Sequence, residues 1–370
     1  MKTVGIVTYF KSYNYGVWLQ AYATERFFEK EGFDAYIINY ANRLENQTTK
    51  LAFKEKNKIS GYFISFLKAI IFGRVTYYKK GFGNHLYDYY KLSSKEYTSS
   101  TEMKNLKYDI LVAGSDQLWN PNRTYGKLDS AFLLQFGNCE KKISLSTSLG
   151  SDTVRETDKH IFTEAFRTFD AISVREEFAY EQLCNLTELP IKITVDPTFL
   201  LEKEEWIKLM KKRTINKIPS KYILTYFVST NKRSSKYYSI IEKYARKFNI
   251  PILAIQFSRA KSTPHDKLIL GATISDFLYL LNNSTLMITD SFHGVALSIN
   301  LEKEFVAIEN VENPERVKHL LNELGLENRI DLDVDEYNTI DYKSVSEKVN
   351  CSRIDTKNWV LEAVNSTNIH

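Results

Sequence analysis

Cysteine is scarce. Cys139, Cys184 and Cys351 are the whole complement in 370 residues, widely spaced and odd in number, which excludes a disulfide framework and a CxxC metal knuckle. A reducing, cytoplasmic setting is the expectation. No apolar run reaches the ~20 residues that cross a bilayer, so no spanning helix is expected. The opening Met1-Lys-Thr-Val-Gly-Ile-Val-Thr-Tyr-Phe10 carries one positive charge and a strand-like run too short for a secretory core, so no signal peptide is expected either. The fingerprint GxGxxG is absent, which removes the usual dinucleotide-binding turn. Charge of one sign is not in excess: 50 basic against 45 acidic residues leave +5, and nothing demands nucleic acid as a partner. Repeats and low-complexity tracts are missing too.

What is plentiful is apolar and flat. Hydrophobic residues make up 43% and aromatics 14%, with 24 Tyr and 22 Phe, side chains that fill a core and also stack on sugar rings. Global disorder is excluded, and the length exceeds what one hydrophobic core supports, so two domains are expected. One segment departs from the even charge balance. Lys50, Lys54, Lys56, Lys58, Lys68, Arg74, Lys79 and Lys80 stand against Glu55 alone and surround the apolar stretch Ile59–Phe72. Two readings stay open for 50–80: a helix lying at an anionic membrane surface, or a helix packed in the domain with solvated lysines around it.

Short β-rich runs alternate with helical patterns along the whole chain, which predicts parallel sheets flanked by helices. Strands are expected at Val4–Phe10, Phe33–Tyr40, Tyr108–Ala113, Lys141–Thr147, Ala171–Val174 and Ile191–Val195, with a helix over Val17–Glu31. A charged stretch, Glu202–Lys217, reads as a connecting helix and linker. A second series of strands follows at Tyr222–Val228, Ile252–Phe257, Leu286–Thr289 and Phe305–Ile308. These alternate with helices at Ser235–Phe248, Ser275–Asn282, Val295–Asn300 and Pro314–Gly325. The expected organisation is a Rossmann-like domain over 1–200 with a basic amphipathic insertion at about 42–95. A linker helix over 201–220, a second Rossmann-like domain over 221–345 and a closing helix over 346–370 complete it. Two such domains face each other across a cleft and bind ligands outside the carboxyl ends of their strands.

Four strand ends carry hydrogen-bonding or titratable groups. Asn14, Tyr15 and Gly16 stand between a strand and a helix whose free N–H groups suit an anion or sugar hydroxyls; an ordinary turn is the equal alternative. Ser115, Asp116 and Gln117 follow an apolar strand and Gly114, more polar groups than helix capping needs. Arg175 ends another strand and offers a rigid fork for phosphate or carboxylate; its plain alternative is a pair with Glu176, Glu177 or Asp196. Asp290, Ser291, Phe292, His293 and Gly294 end a buried strand. His293 is suited to give or take a proton near neutral pH, and Asp290, three residues earlier, is expected to hold its other ring nitrogen. His85, His160, His265, His319 and His370 lack a comparable setting.

Taken in order, these segments resemble the polysaccharide pyruvyl transferase family. The resemblance rests on Asn14-Tyr-Gly16 with Leu19-Gln-Ala21, Gly114-Ser-Asp-Gln-Leu-Trp-Asn-Pro121, Ser148-Leu-Gly150, Ile172-Ser-Val-Arg-Glu176, Val195-Asp-Pro-Thr-Phe199 and Thr289-Asp-Ser-Phe-His-Gly294. It implies an α/β, GT-B-like fold and transfer of pyruvate from phosphoenolpyruvate onto two hydroxyls of a hexose, without a metal or a resident cofactor. It also implies catalytic roles for His293, Arg175 and Asp116, and substrate contacts from Asn14, Tyr15, Gly16, Ser115, Gln117, Ser148, Asp290, Ser291 and Gly294. The implied acceptor is a polysaccharide repeat-unit precursor carried on undecaprenyl pyrophosphate. Many relatives read Asp-Arg-Leu-His where this chain has Asp290-Ser-Phe-His293, so Ser291 replaces an arginine, and Arg123 and Arg259 are the candidates to stand in for it. A nucleotide-sugar glycosyltransferase and a noncatalytic sugar-binding scaffold are the rival classes that the same architecture accommodates.

Overall fold

The computed structural model describes residues 1–12, 14–42, 88–150, 152–212, 214–229, 235–257, 263–310 and 314–366. The basic segment 50–80 lies outside them, as do His85, Arg259 and His370. The first half is built on strands β1 (Thr3–Val7), β2 (Asp34–Ile37), β3 (Ile110–Ala113) and β4 (Lys141–Ser144), parallel and in the order β2-β1-β3-β4. A second parallel pair, β5 (Ile172–Val174) and β6 (Ile191–Ile193), continues it through bridges from Ile143 to Ala171 and from Thr147 to Val174. All four residues of β3 are apolar and buried, as a central strand covered on both faces requires. Helices α1 (Tyr15–Lys30), α2 (Glu156–Phe166) and α3 (Glu177–Leu183) provide the cover.

Helix α4 (Lys203–Leu209) leads to the second half, whose sheet runs β11-β10-β7-β8-β9. Its strands are β7 (Ile223–Tyr226), β8 (Ile252–Gln256), β9 (Lys267–Leu270), β10 (Leu286–Thr289) and β11 (Phe305–Ala307), again all parallel. Around it lie α5 (Ser235–Phe248), α6 (Ile274–Asn283), α7 (Phe292–Asn300) and α8 (Pro314–Leu324). In each sheet the chain reverses its direction of winding at one place, between β1 and β3 and between β7 and β10. Loops leave such neighbouring strands on opposite sides and open a crevice at their carboxyl ends. The turns after β1, β3 and β10 are three of the four segments singled out from the sequence.

The halves do not stand apart. One hydrophobic core runs through both. At its centre Tyr15 stacks on Phe277, ring centroids 4.4 Å apart and planes nearly parallel, and its hydroxyl donates to the carbonyl of Ala272 at 2.6 Å. Helix α9 (Tyr342–Asn365) then returns to the first half. Thr356 accepts from the Val195 N–H at 3.2 Å, Lys357 pairs with Glu31 at 2.6 Å, and Arg353 donates to the Phe199 carbonyl.

Several elements differ from expectation. Strand β9 was not anticipated: Lys267-Leu-Ile-Leu270 is short, partly exposed and at the sheet edge, where the apolar signal is weakest. The connecting helix ends at Leu209, well before Lys217, because the N–H groups of Thr214 and Ile215 turn onto the Asp276 carboxylate instead of extending it. Helix α7 begins at Phe292, not Val295, capped by the Ser291 hydroxyl, so His293 sits inside its first turn.

Candidate active site

The site is assembled from the ends of β1, β3, β5, β6 and β10. After β1 the chain turns at Asn14, whose side chain caps α1 by accepting from the Gly16 N–H at 2.9 Å and also takes the Tyr226 hydroxyl at 3.2 Å. That turn brings Gly16 against His293 of the opposite half: a Cβ built on Gly16 would lie 2.1 Å from His293 Nδ1. Only hydrogen fits there. Gly294 likewise permits close packing of α7 on Thr289, at 2.7 Å from a built Cβ.

Asp196, which follows β6, is the hub. It caps the short helical turn Pro197–Leu200 through Oδ1, which accepts from Thr198 N and Oγ1 at 3.0 and 2.7 Å. Its Oδ2 accepts from Ser115 Oγ at 3.0 Å and from Arg175 Nη1 at 2.9 Å, and lies 3.5 Å from His293 Nε2. Burial would raise the Asp196 carboxyl, but the charges of His293 and Arg175 and the Thr198 N–H outweigh it and hold the group well below the usual carboxylate range. Arg175 also reaches Glu176 at 3.4 Å, while Ser148 donates to Glu176 at 2.5 Å. The plain alternative for Arg175, a pair with Asp196 and Glu176, is therefore realised. One arm remains: Arg175 Nη2 is buried without a partner.

Asp116 stands at the turn after β3 in the left-handed region, φ 79°, a conformation an aspartate tolerates at a cost and one that clusters at functional sites. Its Oδ1 is 3.6 Å from Arg316 Nη1. Burial pushes the Asp116 carboxyl up, but Arg175, Arg316 and His293 together hold it below its ordinary value. Arg316, on the first turn of α8, is lowered to about 10, by burial first and by repulsion from Arg175 second. Both guanidinium groups approach the Phe292 ring, Arg175 at 4.5 Å and Arg316 at 5.7 Å. Beside them a cavity of about 330 Å³ opens between α8, α9 and β6, with Arg175, Asp196, Phe292, Arg316 and His319 in its wall. That is the low end of small-molecule sites, roughly 300–1,000 Å³.

Of the residues expected in the site, His293, Arg175, Asp116 and Ser115 meet. Gln117 lies just behind, accepting from Arg123 Nε at 2.9 Å, and Arg123 lies near enough to Arg316 for the two positive charges to repel. Ser148 serves Glu176 and the Gly150 N–H, and Ser291 is spent as the α7 cap. Two expectations are corrected. Asp290 does not orient His293: it accepts from the N–H groups of Val228 and Ser229, at 2.7 and 3.1 Å, and from the Ser229 hydroxyl, tying β10 to β7 across the switch point. Asp196 is the carboxylate beside the imidazole. Tyr15, expected among the substrate contacts, is fully buried, with its hydroxyl on the Ala272 carbonyl and its ring stacked on Phe277, so its side chain is spent in the core. His319 was set aside on sequence and yet lines the cavity with Arg316. Neither signalled itself, because Pro314-Glu-Arg316 reads only as a helix start, and its apposition to Arg175 arises from the way the halves meet.

A family model described as polysaccharide pyruvyl transferase matches residues 14–313. No curated protein sequence matches the chain. Among solved structures, the chain is similar to Arabidopsis thaliana UGT89C1 complexed with UDP-L-rhamnose, at 8% identity and TM-score 0.50, over 98% of this chain and 99% of that one. It is also similar to UDP-GlcNAc 2-epimerase from Neisseria meningitidis bound to UDP-GlcNAc, at 11% identity and TM-score 0.48, over 100% and 95%. At these identities the likeness concerns fold alone, a GT-B-like pair of α/β halves.

Proposed function

The chain belongs to the polysaccharide pyruvyl transferase family, and from that premise we propose that it moves pyruvate from phosphoenolpyruvate onto two hydroxyls of one hexose, releasing phosphate. The reading rests on one observation above others. His293, with a buried Nε2 that has no hydrogen-bond partner, stands beside Asp196, Arg175 and Asp116 where the strand ends of the two halves face each other.

In this reading His293 protonates the methylene carbon of the donor, which makes the central carbon electrophilic. A sugar hydroxyl adds there, the carbon–oxygen bond to phosphate breaks, and a second hydroxyl of the same sugar closes the cyclic ketal. Asp196 balances the charge of the imidazole, and Asp116 takes the proton of an attacking hydroxyl. The donor's anionic groups lie against Arg175. The acceptor is a repeat-unit precursor on undecaprenyl pyrophosphate, with a 4,6-bridged galactose the first sugar to try. The basic segment 50–80 holds the protein to the inner face of the membrane that carries it. No helix among the described residues is long and apolar enough to cross a membrane.

The test is to incubate the protein with hexosides, free and lipid-linked, and either phosphoenolpyruvate or a sugar nucleotide. Release of inorganic phosphate with a matching gain of acceptor mass supports the proposal. Release of a nucleoside diphosphate instead would identify a glycosyltransferase, and sugar binding with neither product would identify a scaffold.

A further inference from the structure

Four buried nitrogens without hydrogen-bond partners gather in one region: Arg175 Nη2, His293 Nε2, Arg316 Nε and His319 Nε2. The nearest carboxylates to the two imidazoles are at 3.5 Å, Asp196 to His293, and 3.7 Å, Glu323 to His319. A buried polar nitrogen left unpaired is costly, so such a cluster marks a place where a ligand completes the bonding. The two arginines are not equally neutralised. Arg175 is flanked by Asp196 at 2.9 Å and Glu176 at 3.4 Å, whereas Arg316 has one carboxylate within ion-pair reach, Asp116 at 3.6 Å, with Glu176 acting on it only from further away. Arg316 therefore carries the larger uncompensated positive charge, and its proximity to Arg175 makes an added anion more favourable still. His319 lies three residues further along α8, on the same face of the helix, and both line the 330 Å³ cavity.

We infer that this cavity is a phosphate site, in which Arg316 grips the phosphate, His319 supports it, and the Arg175 arm takes a carboxylate. Resting on the donor reading above, the inference assigns the phosphate of phosphoenolpyruvate to Arg316. The arginine absent at Ser291 is thus supplied from α8, by an element outside the D-x-x-H segment. The carboxylate end of the donor lies toward Asp196 and Phe292, next to His293.

Calorimetric titration of the folded protein and of Arg316→Gln and Arg316→Lys with inorganic phosphate, phosphoenolpyruvate and pyruvate tests this without requiring turnover. Wild type binds both phosphate compounds; Arg316→Gln weakens both by about tenfold or more, the worth of a charge-assisted bond, and leaves pyruvate unchanged. Arg316→Lys, which keeps the charge and loses the fork, falls between them and guards against a folding defect in the glutamine variant. Equal phosphate affinity in Arg316→Gln, or no phosphate binding by wild type, overturns the assignment. Phosphate binding that depends on Arg316, joined to an inability to turn over phosphoenolpyruvate, upholds the site and overturns the donor reading alone.

Discussion

At the scale of single residues, His293 and Gly16 are best considered together. His293→Ala is expected to lower the rate at least about a hundredfold, the usual worth of a general acid, and to leave the fold intact; turnover like that of wild type would remove His293 from the chemistry. Gly16→Ala is the subtler variant. In a helix alanine is favoured over glycine by about 1 kcal/mol, yet here its methyl falls 2.1 Å from His293 Nδ1 and 2.6 Å from His293 Cβ, so the whole imidazole must move. Activity is expected to fall steeply, by more than the loss of about 1–3 kcal/mol in stability that such overpacking brings, and a fall in activity no larger than the unfolded fraction explains would make Gly16 a stability residue only. Much of this level was legible in advance. His293, Arg175, Asp116 and Ser115 announced themselves as polar groups at the ends of apolar strands. The misassignment of Asp290 has a simple origin: spacing of three along the chain suggested a partner, whereas the helical first turn sends His293 away from Asp290 and toward Asp196, a residue 97 positions distant in the chain.

Elements carry a pH signature. Helix α1 buries Glu25 among its core residues, with Oε1 accepting the Lys91 N–H at 2.6 Å and Oε2 unpartnered. Burial, against the opposing influence of that N–H and of Arg26, pushes the Glu25 carboxyl up to about 8. The folded state then keeps a proton that the unfolded chain has released above pH 4–5. Stability is expected to fall as pH rises from about 5 to 8, by up to about 1.4 kcal/mol per unit from this group. Glu25→Gln should flatten that slope in denaturant titrations at pH 6 and 8, and an unchanged slope would place the effect elsewhere. Asp196 works in the opposite sense. Its depressed carboxyl supports the fold above about pH 4 and is lost on further acidification. At this scale strands and helices followed from periodicity, apart from the edge strand β9, whose half-exposed residues look like a loop. Helix ends were the weakest part, because Asn14 and Ser291 set them by capping and not by apolar pattern.

For the molecule as a whole, two parallel α/β halves could be read from the alternation of elements, but the closeness of the halves could not. Tyr15, expected at a ligand, is instead the stacked centre of a core common to both. Thermal unfolding of the full chain is therefore expected as one transition, with calorimetric and van't Hoff enthalpies in agreement. Tyr15→Ala should cost about 3–5 kcal/mol, as for other large aromatic truncations, and two resolved transitions in wild type would show that the halves are held only loosely. Helix α9 adds a constraint in time. The stretch around Phe199 and Asp196 is buttressed by Arg353 and Thr356, residues that a ribosome adds long after the first sheet has emerged. The early half must then wait, with the turn at Asp196 unsupported, until that strap arrives, so the candidate site is completed late in synthesis, and a chain truncated before residue 342 is expected to lack activity however well its first sheet has formed.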